Sequence, residues 1–176
     1  MFVQPSDVVT SLQIPSGAIV ADFGCGSGAY TLASARALAG TGRVYGVDVQ
    51  KDLLVRLKST AVSEGLGNVD VVWGDCEKLG GTTLRDQSAD IVIVANALFQ
   101  APDKMTLLKE AKRVLRAGGK GKLLLIDWSD SFKNMGPTQS QVVSEIEAKK
   151  LAESTGFIIE KSIPAGTHHY GVLFHT

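Results

Sequence analysis

The sequence predicts a doubly wound α/β fold, a three-layer sandwich in which helices cover both faces of a mostly parallel sheet. Two observations carry this prediction. Short, nearly continuous apolar runs recur along the chain, as expected for parallel strands buried on both faces. Helical segments separate these runs, and such succession requires right-handed crossovers. The 176 residues, 44% of them hydrophobic, suit a single domain over residues 1–176.

Five apolar runs are predicted as parallel strands: Ile19 to Phe23, Val44 to Val47, Val69 to Trp73, Ile91 to Ala95 and Leu123 to Ile126. Three helical segments lie among them, and a glycine follows each as a stop signal. These segments are Tyr30 to Leu38, Asp52 to Glu64 and Lys104 to Arg116. The region around Asp86 is less regular and is predicted as a short helix or a loop. We expect Asp52 to cap its helix.

The end of the chain departs from this rhythm. A helix is predicted around Gln139 to Ser154, followed by apolar runs at Phe157 to Ile163 and Tyr170 to Phe174. The turn signal Pro164-Ala165-Gly166 joins these two runs. Parallel strands need a crossover of a dozen residues or more, so the two runs must form an antiparallel hairpin. The predicted sheet therefore has seven strands, five of them parallel.

Composition excludes several classes of protein. The chain carries 18 basic and 18 acidic residues, which gives no global field to attract nucleic acid or an anionic membrane. Its two cysteines, Cys25 and Cys76, lie far apart and form no metal-ligand cluster, so we expect no metal. Neither a secretory signal nor an apolar run of 18 residues is visible. We expect a cytoplasmic protein that does not bind membranes.

A glycine loop follows the first predicted strand and opens the first helix, with the sequence Asp22-Phe23-Gly24-Cys25-Gly26-Ser27-Gly28-Ala29. Backbone N–H groups at such a helix start can hold an anionic ligand. The spacing Gly24-x-Gly26-x-x-Ala29 also satisfies the dinucleotide fingerprint. Asp48, at the end of the second strand, fits ribose binding for either kind of nucleoside cofactor. The loop alone therefore predicts a cofactor site without naming the cofactor.

Three further features resolve this ambiguity by resemblance. Asp22 extends the loop to D-x-G-x-G-x-G, Gly74-Asp75-Cys76-Glu77 follows the third strand, and Arg113 to Gly119 spells R-V-L-R-A-G-G before the fifth. At these positions the chain resembles the class I S-adenosylmethionine-dependent methyltransferases, and more loosely the small bacterial quinone-biosynthesis group. The predicted hairpin also resembles the reversed last strand of that Rossmann-like fold. The resemblance implies S-adenosylmethionine as cofactor and S-adenosylhomocysteine as product.

The resemblance also implies roles for individual residues. The glycine loop would meet the methionine portion of the cofactor, Asp22 would hold its amino group directly or through water, and Asp48 would bind the ribose. Asp75 would accept from the adenine amine, and Asn96 would lie beside the methionine amino group or the acceptor. The cofactor-binding residues implied are Asp22, Gly24, Cys25, Gly26, Gly28, Tyr30, Asp48, Val49, Gly74, Asp75, Cys76 and Asn96.

Departures from the family patterns narrow the range of methyl acceptors that the sequence supports. Asn96-Ala97-Leu98-Phe99 lacks both prolines of the N/D-P-P-Y/F motif found in methyltransferases that act on base amines. Arsenic methyltransferases use several cysteines, whereas Cys25 and Cys76 both lie inside cofactor motifs here. If the acceptor is protic, a base helps the transfer. Candidate bases are Asp127, Asp130, His168 and His169, and Trp128 is a candidate acceptor contact.

Several functions are consistent with the sequence. A small-molecule acceptor is favoured; RNA or protein methylation is the alternative, because Lys104 to Lys122 holds seven basic residues. The solvated face of an outer helix explains those cations equally well. An NAD(P)-dependent oxidoreductase and a non-catalytic S-adenosylmethionine-binding protein are further alternatives. Residues 1–17, with Phe2, Val3 and Pro5, could form a lid, and the short cap suits a monomer or a homodimer.

Overall fold

The computed structural model describes residues 4–133 and 135–176. Its centre is a seven-stranded sheet. The strands are β1 (Ile19–Phe23), β2 (Arg43–Asp48), β3 (Val69–Trp73), β4 (Ile91–Ala95), β5 (Lys122–Trp128), β6 (Ile158–Ile163) and β7 (His169–His175). Their order across the sheet is β3-β2-β1-β4-β5-β7-β6. The first five strands are mutually parallel, and β7 runs antiparallel between β5 and β6. The predicted architecture is confirmed.

Among the described residues, five helices cover the two faces of the sheet. They are α1 (Pro5–Leu12), α2 (Ala29–Leu38), α3 (Lys51–Ser63), α4 (Lys104–Val114) and α5 (Glu145–Ser154). Alternate residues of each strand face opposite sides, which divides the core into two clusters. Val20 packs with α1, α2 and α3 on one side, whereas Phe23 packs with α4 and α5 on the other. This is the three-layer arrangement that the sequence predicts.

The strand register brings the carboxyl ends of the parallel strands to one edge. Phe23 pairs with Val47 of β2 and Val94 of β4, and Asp48 pairs with Trp73 of β3. The loops that follow β1, β2, β3, β4 and β5 therefore open on the same side of the sheet. In open α/β sheets, ligands bind at this edge, where the strand order reverses.

The amino-terminal segment differs from the sequence prediction. Residues 5–12 form helix α1, which the sequence analysis did not anticipate, and Val8 and Val9 are buried against the domain. This segment is too short for the periodicity of its apolar residues to distinguish a helix from a loop. Phe2 and Val3 of the proposed lid lie outside the described residues. The lid itself stays a prediction.

Two helix starts also differ from prediction. Gln50, not Asp52, is the N-cap of α3, and Asp52 lies in the first turn, where its charge still complements the helix dipole. Helix α5 begins only at Glu145, because the Ser144 hydroxyl accepts from the Glu147 N–H and caps it there. Within residues 4–133 and 135–176, no helix is both long enough and apolar enough to cross a membrane.

Most cations of the basic stretch Lys104 to Lys122 have local partners. Arg113 contacts Glu110 and Asp86, Arg116 pairs with Asp90 at 2.6 Å, and Lys122 pairs with Glu160 at 3.0 Å. Lys104 and Lys112 donate to backbone carbonyls of neighbouring segments. These contacts fit a structural role for the basic stretch and weaken its interpretation as an RNA-binding stripe.

A buried carboxylate holds the loop after β3 against α4. Glu110 is fully buried and accepts from the N–H of Gly80 at 2.7 Å and the hydroxyl of Thr82 at 2.5 Å. Arg113 donates to both of its oxygens, at 2.8 and 2.7 Å. Burial raises the pKa of Glu110, but these hydrogen bonds outweigh it and hold the pKa below the ordinary value. The charged pair therefore fixes the segment that leads away from Asp75.

We predict that Glu110→Ala lowers the free energy of unfolding by about 3 kcal/mol, because it leaves buried donors and the Arg113 guanidinium without their acceptor. Urea unfolding at pH 7 measures this loss. A depressed folded-state pKa adds stability above the ordinary value of 4.5 that is lost as the pH falls below it. The difference between variant and wild type should therefore shrink in acid. Glu153→Ala, on the exposed face of α5, is the matched control; equal losses in both variants would contradict the prediction.

Candidate functional site

The loop between β1 and α2 exposes backbone where a ligand could lie. Gly24, Gly26 and Gly28 have φ angles of +67°, +53° and +84°, a region that side chains disfavour. At Gly28 a Cβ would also lie 2.2 Å from Leu57 Cδ1 of α3. Only glycine lets the chain turn this tightly while α2 and α3 remain packed together.

Asp48 ties the glycine loop to the end of β2. Its carboxylate is 7% exposed, accepting from the Gly26 N–H at 2.9 Å and from the Gln50 N–H at 2.8 Å through different oxygens. The Cys25 N–H donates to the Val47 carbonyl at 3.0 Å beside it. Each carboxylate oxygen has a second lone pair, so Asp48 can accept further hydrogen bonds from a ligand that enters the cleft.

A cleft of about 190 Å³ opens above these residues, with polar and apolar surface in similar amounts. Its lining joins the ends of β1, β2 and β3 with the loop after β4. Seven of the predicted cofactor residues line it: Gly24, Gly26, Asp48, Val49, Gly74, Asp75 and Cys76. Four lining residues were not predicted: Gln50, Glu77, Ala97 and Gln100. Gln50 and Glu77 each lie two residues beyond a predicted Asp ligand, a position the pattern could have suggested.

Asp75 is partly engaged by its own turn. Its carboxylate accepts from the Glu77 N–H at 3.0 Å and pairs with Lys78 at 3.0 Å. The adjacent Cys76 lines the cleft, and burial raises the pKa of its thiol to about 12. Burial likewise raises the pKa of Cys25. Both thiols are therefore protonated at neutral pH and offer shape, not thiolate chemistry.

Asp22 lies beneath the glycine loop and outside the lining of the cleft. The Thr31 hydroxyl of α2 donates to it at 2.6 Å. Burial raises the pKa of Asp22 to about 7, and the hydrogen bonds from Thr31 offset only part of this effect. A carboxylate in this state gains from a nearby cation, because a positive charge would restore its ionisation.

A second pocket has a volume of about 320 Å³. Consecutive residues line the two cavities, because Ala97 lines the cleft and its neighbour Asn96 lines the pocket. Asn96 has a φ of +55°, and its buried Oδ1 has no hydrogen-bond partner among the described residues. Strained, unsatisfied residues of this kind concentrate at functional sites. The pocket lining is Pro5, Ala29, Tyr30, Asn96, Trp128, Met135 and His169.

The structure separates the four candidate bases. Asp127 is fully buried, and its two oxygens accept from the N–H groups of Phe99 and Trp128 at 2.9 and 2.8 Å. It therefore fixes the loop after β4 and is badly placed to take a proton from an acceptor. Asp130 contacts His168 Nδ1 at 3.0 Å. Of the four, His169 lines the second pocket.

Within the described ranges, no group of three or more His, Cys, Asp or Glu side chains is placed to hold a metal ion. Tyr30, predicted among the cofactor residues, lines the second pocket. Cys25 and Gly28 are buried in the glycine loop outside the lining of the cleft. The arrangement thus consists of a nucleoside-sized cleft with ordered carboxylates beside a largely apolar pocket.

Comparison with known proteins agrees with this arrangement. A family model described as a methyltransferase domain matches residues 20–119. A demethylmenaquinone methyltransferase of Geobacillus kaustophilus is 34% identical over 113 residues, which is 64% of this chain and 47% of that protein. A demethylmenaquinone methyltransferase of Staphylococcus aureus is 35% identical over 152 residues, or 84% of this chain and 60% of that protein. The chain spans about half of the length of the first of these relatives.

A solved structure matches nearly the whole chain. The crystal structure of a SAM-dependent methyltransferase from Aquifex aeolicus superposes with a TM-score of 0.87 at 26% identity, covering 99% of this chain and 90% of that one. The family model alone covers more than half of the sequence, from β1 to the turn before β5. The glycine loop and the carboxylates at the strand ends lie within or beside the matched range. The chain therefore belongs to the class I S-adenosylmethionine-dependent methyltransferases.

Proposed function

We propose that this chain binds S-adenosylmethionine in the cleft and transfers its methyl group to a small-molecule acceptor in the adjoining pocket. The observation that carries the proposal is that consecutive residues line the two cavities, Asn96 the second pocket and Ala97 the cleft. The cofactor supplies a methyl group already activated by the sulfonium. The protein must then hold donor and acceptor in line and exclude water, which needs two adjacent, partly enclosed sites.

The residues of the cleft fit the cofactor. The positive φ angles of the glycine loop leave room for close backbone approach, and the Asp48 carboxylate, already oriented by two backbone N–H groups, would accept the ribose hydroxyls. The raised pKa of buried Asp22 supports a role in holding the cationic amino group. Asp75 and Cys76 would border the adenine, although Asp75 already accepts from Glu77.

A small acceptor is supported by the relatives and by the pocket. The curated relatives are named for demethylmenaquinone, a small molecule. The lining of the second pocket is mostly apolar, which suits a compact organic acceptor better than a nucleic acid backbone. The local ion pairs of the basic stretch Lys104 to Lys122 also argue against an RNA acceptor. The proposal holds for a monomer and for a homodimer. Its candidate bases are Asp127, His168 and His169, of which Asp127 is the worst placed because both of its oxygens accept from backbone N–H groups.

The first test compares cofactors. We predict that S-adenosylhomocysteine raises the thermal midpoint of the protein whereas NAD does not, because a ligand that binds only the folded state stabilises it by mass action. Differential scanning fluorimetry with each ligand at equal concentration measures the shift. A shift with NAD alone would support the oxidoreductase alternative instead. S-adenosylhomocysteine binding without methyl transfer to any small molecule would favour the non-catalytic alternative.

The second test addresses Asp48. Asp48→Asn should weaken S-adenosylhomocysteine binding about tenfold or more, because its single amide oxygen can accept from Gly26 or Gln50 but not both, and its N–H₂ opposes the other donor. Isothermal titration calorimetry measures the affinity. Asp52→Asn, four residues away on the exposed start of α3, is the matched control and should bind as wild type does. Equal affinities in all three proteins would remove Asp48 from the site.

The third test uses the raised pKa of Asp22. Because the folded state favours the protonated carboxyl, stability from this group is present at low pH and is lost as the pH rises from 3.8 to about 7. The ligand-free wild type should therefore lose stability across that window relative to Asp22→Asn. Binding of the ligand ammonium should expel the proton, so the affinity of the wild type for S-adenosylhomocysteine should rise between about pH 6 and 8.

Calorimetry in two buffers of different ionisation enthalpy counts the proton released near pH 7. The Asp22→Asn protein should release no proton from position 22 when the ligand binds. Asp70→Asn should behave as wild type, because Asp70 lies on the edge strand β3 and pairs with Lys58 at 3.8 Å. Proton release that is the same in the Asp22→Asn protein as in the wild type would show that Asp22 does not respond to the ligand.

A further inference from the structure

We propose that His169 is the general base of this site, and that its pocket takes an uncharged, flat acceptor whose ring hydroxyl is methylated on oxygen. The inference rests on the proposed function and specifies its acceptor class and its proton acceptor. Three features of the second pocket carry it: aromatic walls held by paired strands, an uncharged lining that includes His169, and lining residues that are chain neighbours of residues in the cofactor cleft.

The aromatic walls are fixed by the sheet. Trp128 ends β5 and His169 begins β7, and the two residues are register partners. Their rings lie 4.2 Å apart between centroids and are tilted by 39°. Tyr30 of α2 lines the same pocket. Rings carried by paired strands change position less than rings on a loop, so the pocket is ordered to accept a flat ring by stacking.

The described lining carries no formal charge unless His169 is protonated. Among the described residues that line the pocket, none is Lys, Arg, Asp or Glu. A carboxylate or phosphate on the acceptor would lose its hydration with no cation to replace it. The pocket therefore selects for uncharged molecules. The Asn96 Oδ1, buried without a protein partner in the described chain, offers such a molecule a hydrogen-bond acceptor.

The second pocket and the cofactor cleft are lined by neighbouring residues of the same two loops. Ala29 lines it immediately after Gly28 of the glycine loop, and Asn96 lines it immediately before Ala97 of the cleft. The glycine loop is the part of the cleft assigned to the methionine portion of the cofactor. An acceptor in this pocket would thus lie next to the part of the cleft assigned to the methionine portion of the cofactor.

The protonation state of His169 suits a base. Burial lowers its pKa below the ordinary value of 6.5, and the nearby His168 lowers it further, whereas Asp130 opposes both effects. Tyr30 also faces the pocket, and burial raises its pKa to about 12, so it remains a neutral hydroxyl. Asp127 lies behind the pocket on β5 with its oxygens bound to backbone N–H groups. The imidazole is therefore neutral at pH 7 and able to take a proton.

The step balances without a further reactant. The acceptor O–H bond breaks and its proton moves to the imidazole of His169. The oxygen pair forms the new bond to the methyl carbon as the bond from that carbon to sulfur breaks, its electrons remaining on sulfur. The products are a methyl ether, S-adenosylhomocysteine and an imidazolium that returns its proton to solvent. No electron is gained or lost by either partner.

The experiment uses 2-naphthol as a flat, uncharged hydroxyl probe and 2-naphthoate as its anionic counterpart. The full chain loaded with S-adenosylhomocysteine is titrated with each while the histidine C–H resonances are followed by NMR. We expect 2-naphthol to shift the His169 resonance and to leave His175, at the other end of β7, unmoved. We expect 2-naphthoate to shift neither. Binding of 2-naphthoate as strong as that of 2-naphthol would overturn the uncharged-acceptor assignment.

Methyl transfer to 2-naphthol tests the base. His169→Asn should lower kcat about 100-fold or more, whereas His175→Asn should leave it within about twofold of wild type. The pH profile of the wild type should fall below the pKa of His169 and that fall should vanish in His169→Asn. The variant should instead gain rate as the pH approaches the pKa of the naphthol itself, which a purely structural loss would not produce.

A second variant separates packing from proton transfer. His169→Phe keeps a ring against Trp128 and should still bind 2-naphthol while losing methyl transfer. Transfer retained in both variants would overturn the assignment of His169. If wild type binds S-adenosylhomocysteine but neither binds nor methylates 2-naphthol, this inference fails while the proposed function stands. If S-adenosylhomocysteine itself does not bind, the proposed function fails.

Discussion

The edge of the sheet that carries the cleft depends on one constraint. A carboxylate buried at a strand end needs hydrogen-bond donors. Asp48 meets this need with the backbone N–H groups of Gly26 and Gln50, and in doing so it fixes the glycine loop and the start of α3 together. The loop could not donate to Asp48 with side chains in place, because the tight turn requires positive φ at three glycines. Glycine loop and carboxylate are thus two halves of a single arrangement, and the cleft above them is preformed as a result.

Other buried carboxylates also hold structure around the edge of the sheet, and their pKa values respond differently to burial. Asp127 holds the loop after β4 through the Phe99 N–H, and Glu110 holds the loop after β3 through Gly80 and Thr82. The hydrogen bonds to Glu110 outweigh its burial and hold its pKa below the ordinary value, so it positions structure at little electrostatic cost. Burial instead raises the pKa of Asp127 to about 6 and that of Asp22 to about 7, because their hydrogen bonds offset only part of the desolvation. Asp22 costs stability near neutral pH, which a cation arriving in the cleft would offset, and such a trade is typical of binding sites.

The sequence predicts the donor side of the site far better than the acceptor side, for a physical reason. Strand β1 and the residues Gly24, Asp48 and Gly74 follow from local patterns, since each lies at a fixed offset from an apolar run. The second pocket assembles Pro5, Asn96 and His169 from three distant segments, and no local spacing connects them. Helix α1 was missed because eight residues barely exceed two turns. Asp127 was predicted as a candidate base because it closes an apolar run, whereas the hydrogen bonds from the Phe99 and Trp128 N–H groups to its two oxygens are visible only in the fold.

This difference bears on how the chain could change its acceptor. The cofactor cleft is built from strand ends and the loops they pin, so a substitution there disturbs several interlocking hydrogen bonds at once. The second pocket combines two rings held by the β5 and β7 register with Pro5 of α1 and Met135 of the following loop. Exchanging Pro5 or Met135 would alter the shape of the pocket without breaking a strand pair or a buried ion pair. Acceptor range should therefore vary through α1 and the loop after β5, while Trp128 and His169 keep the requirement for a flat molecule with a removable proton.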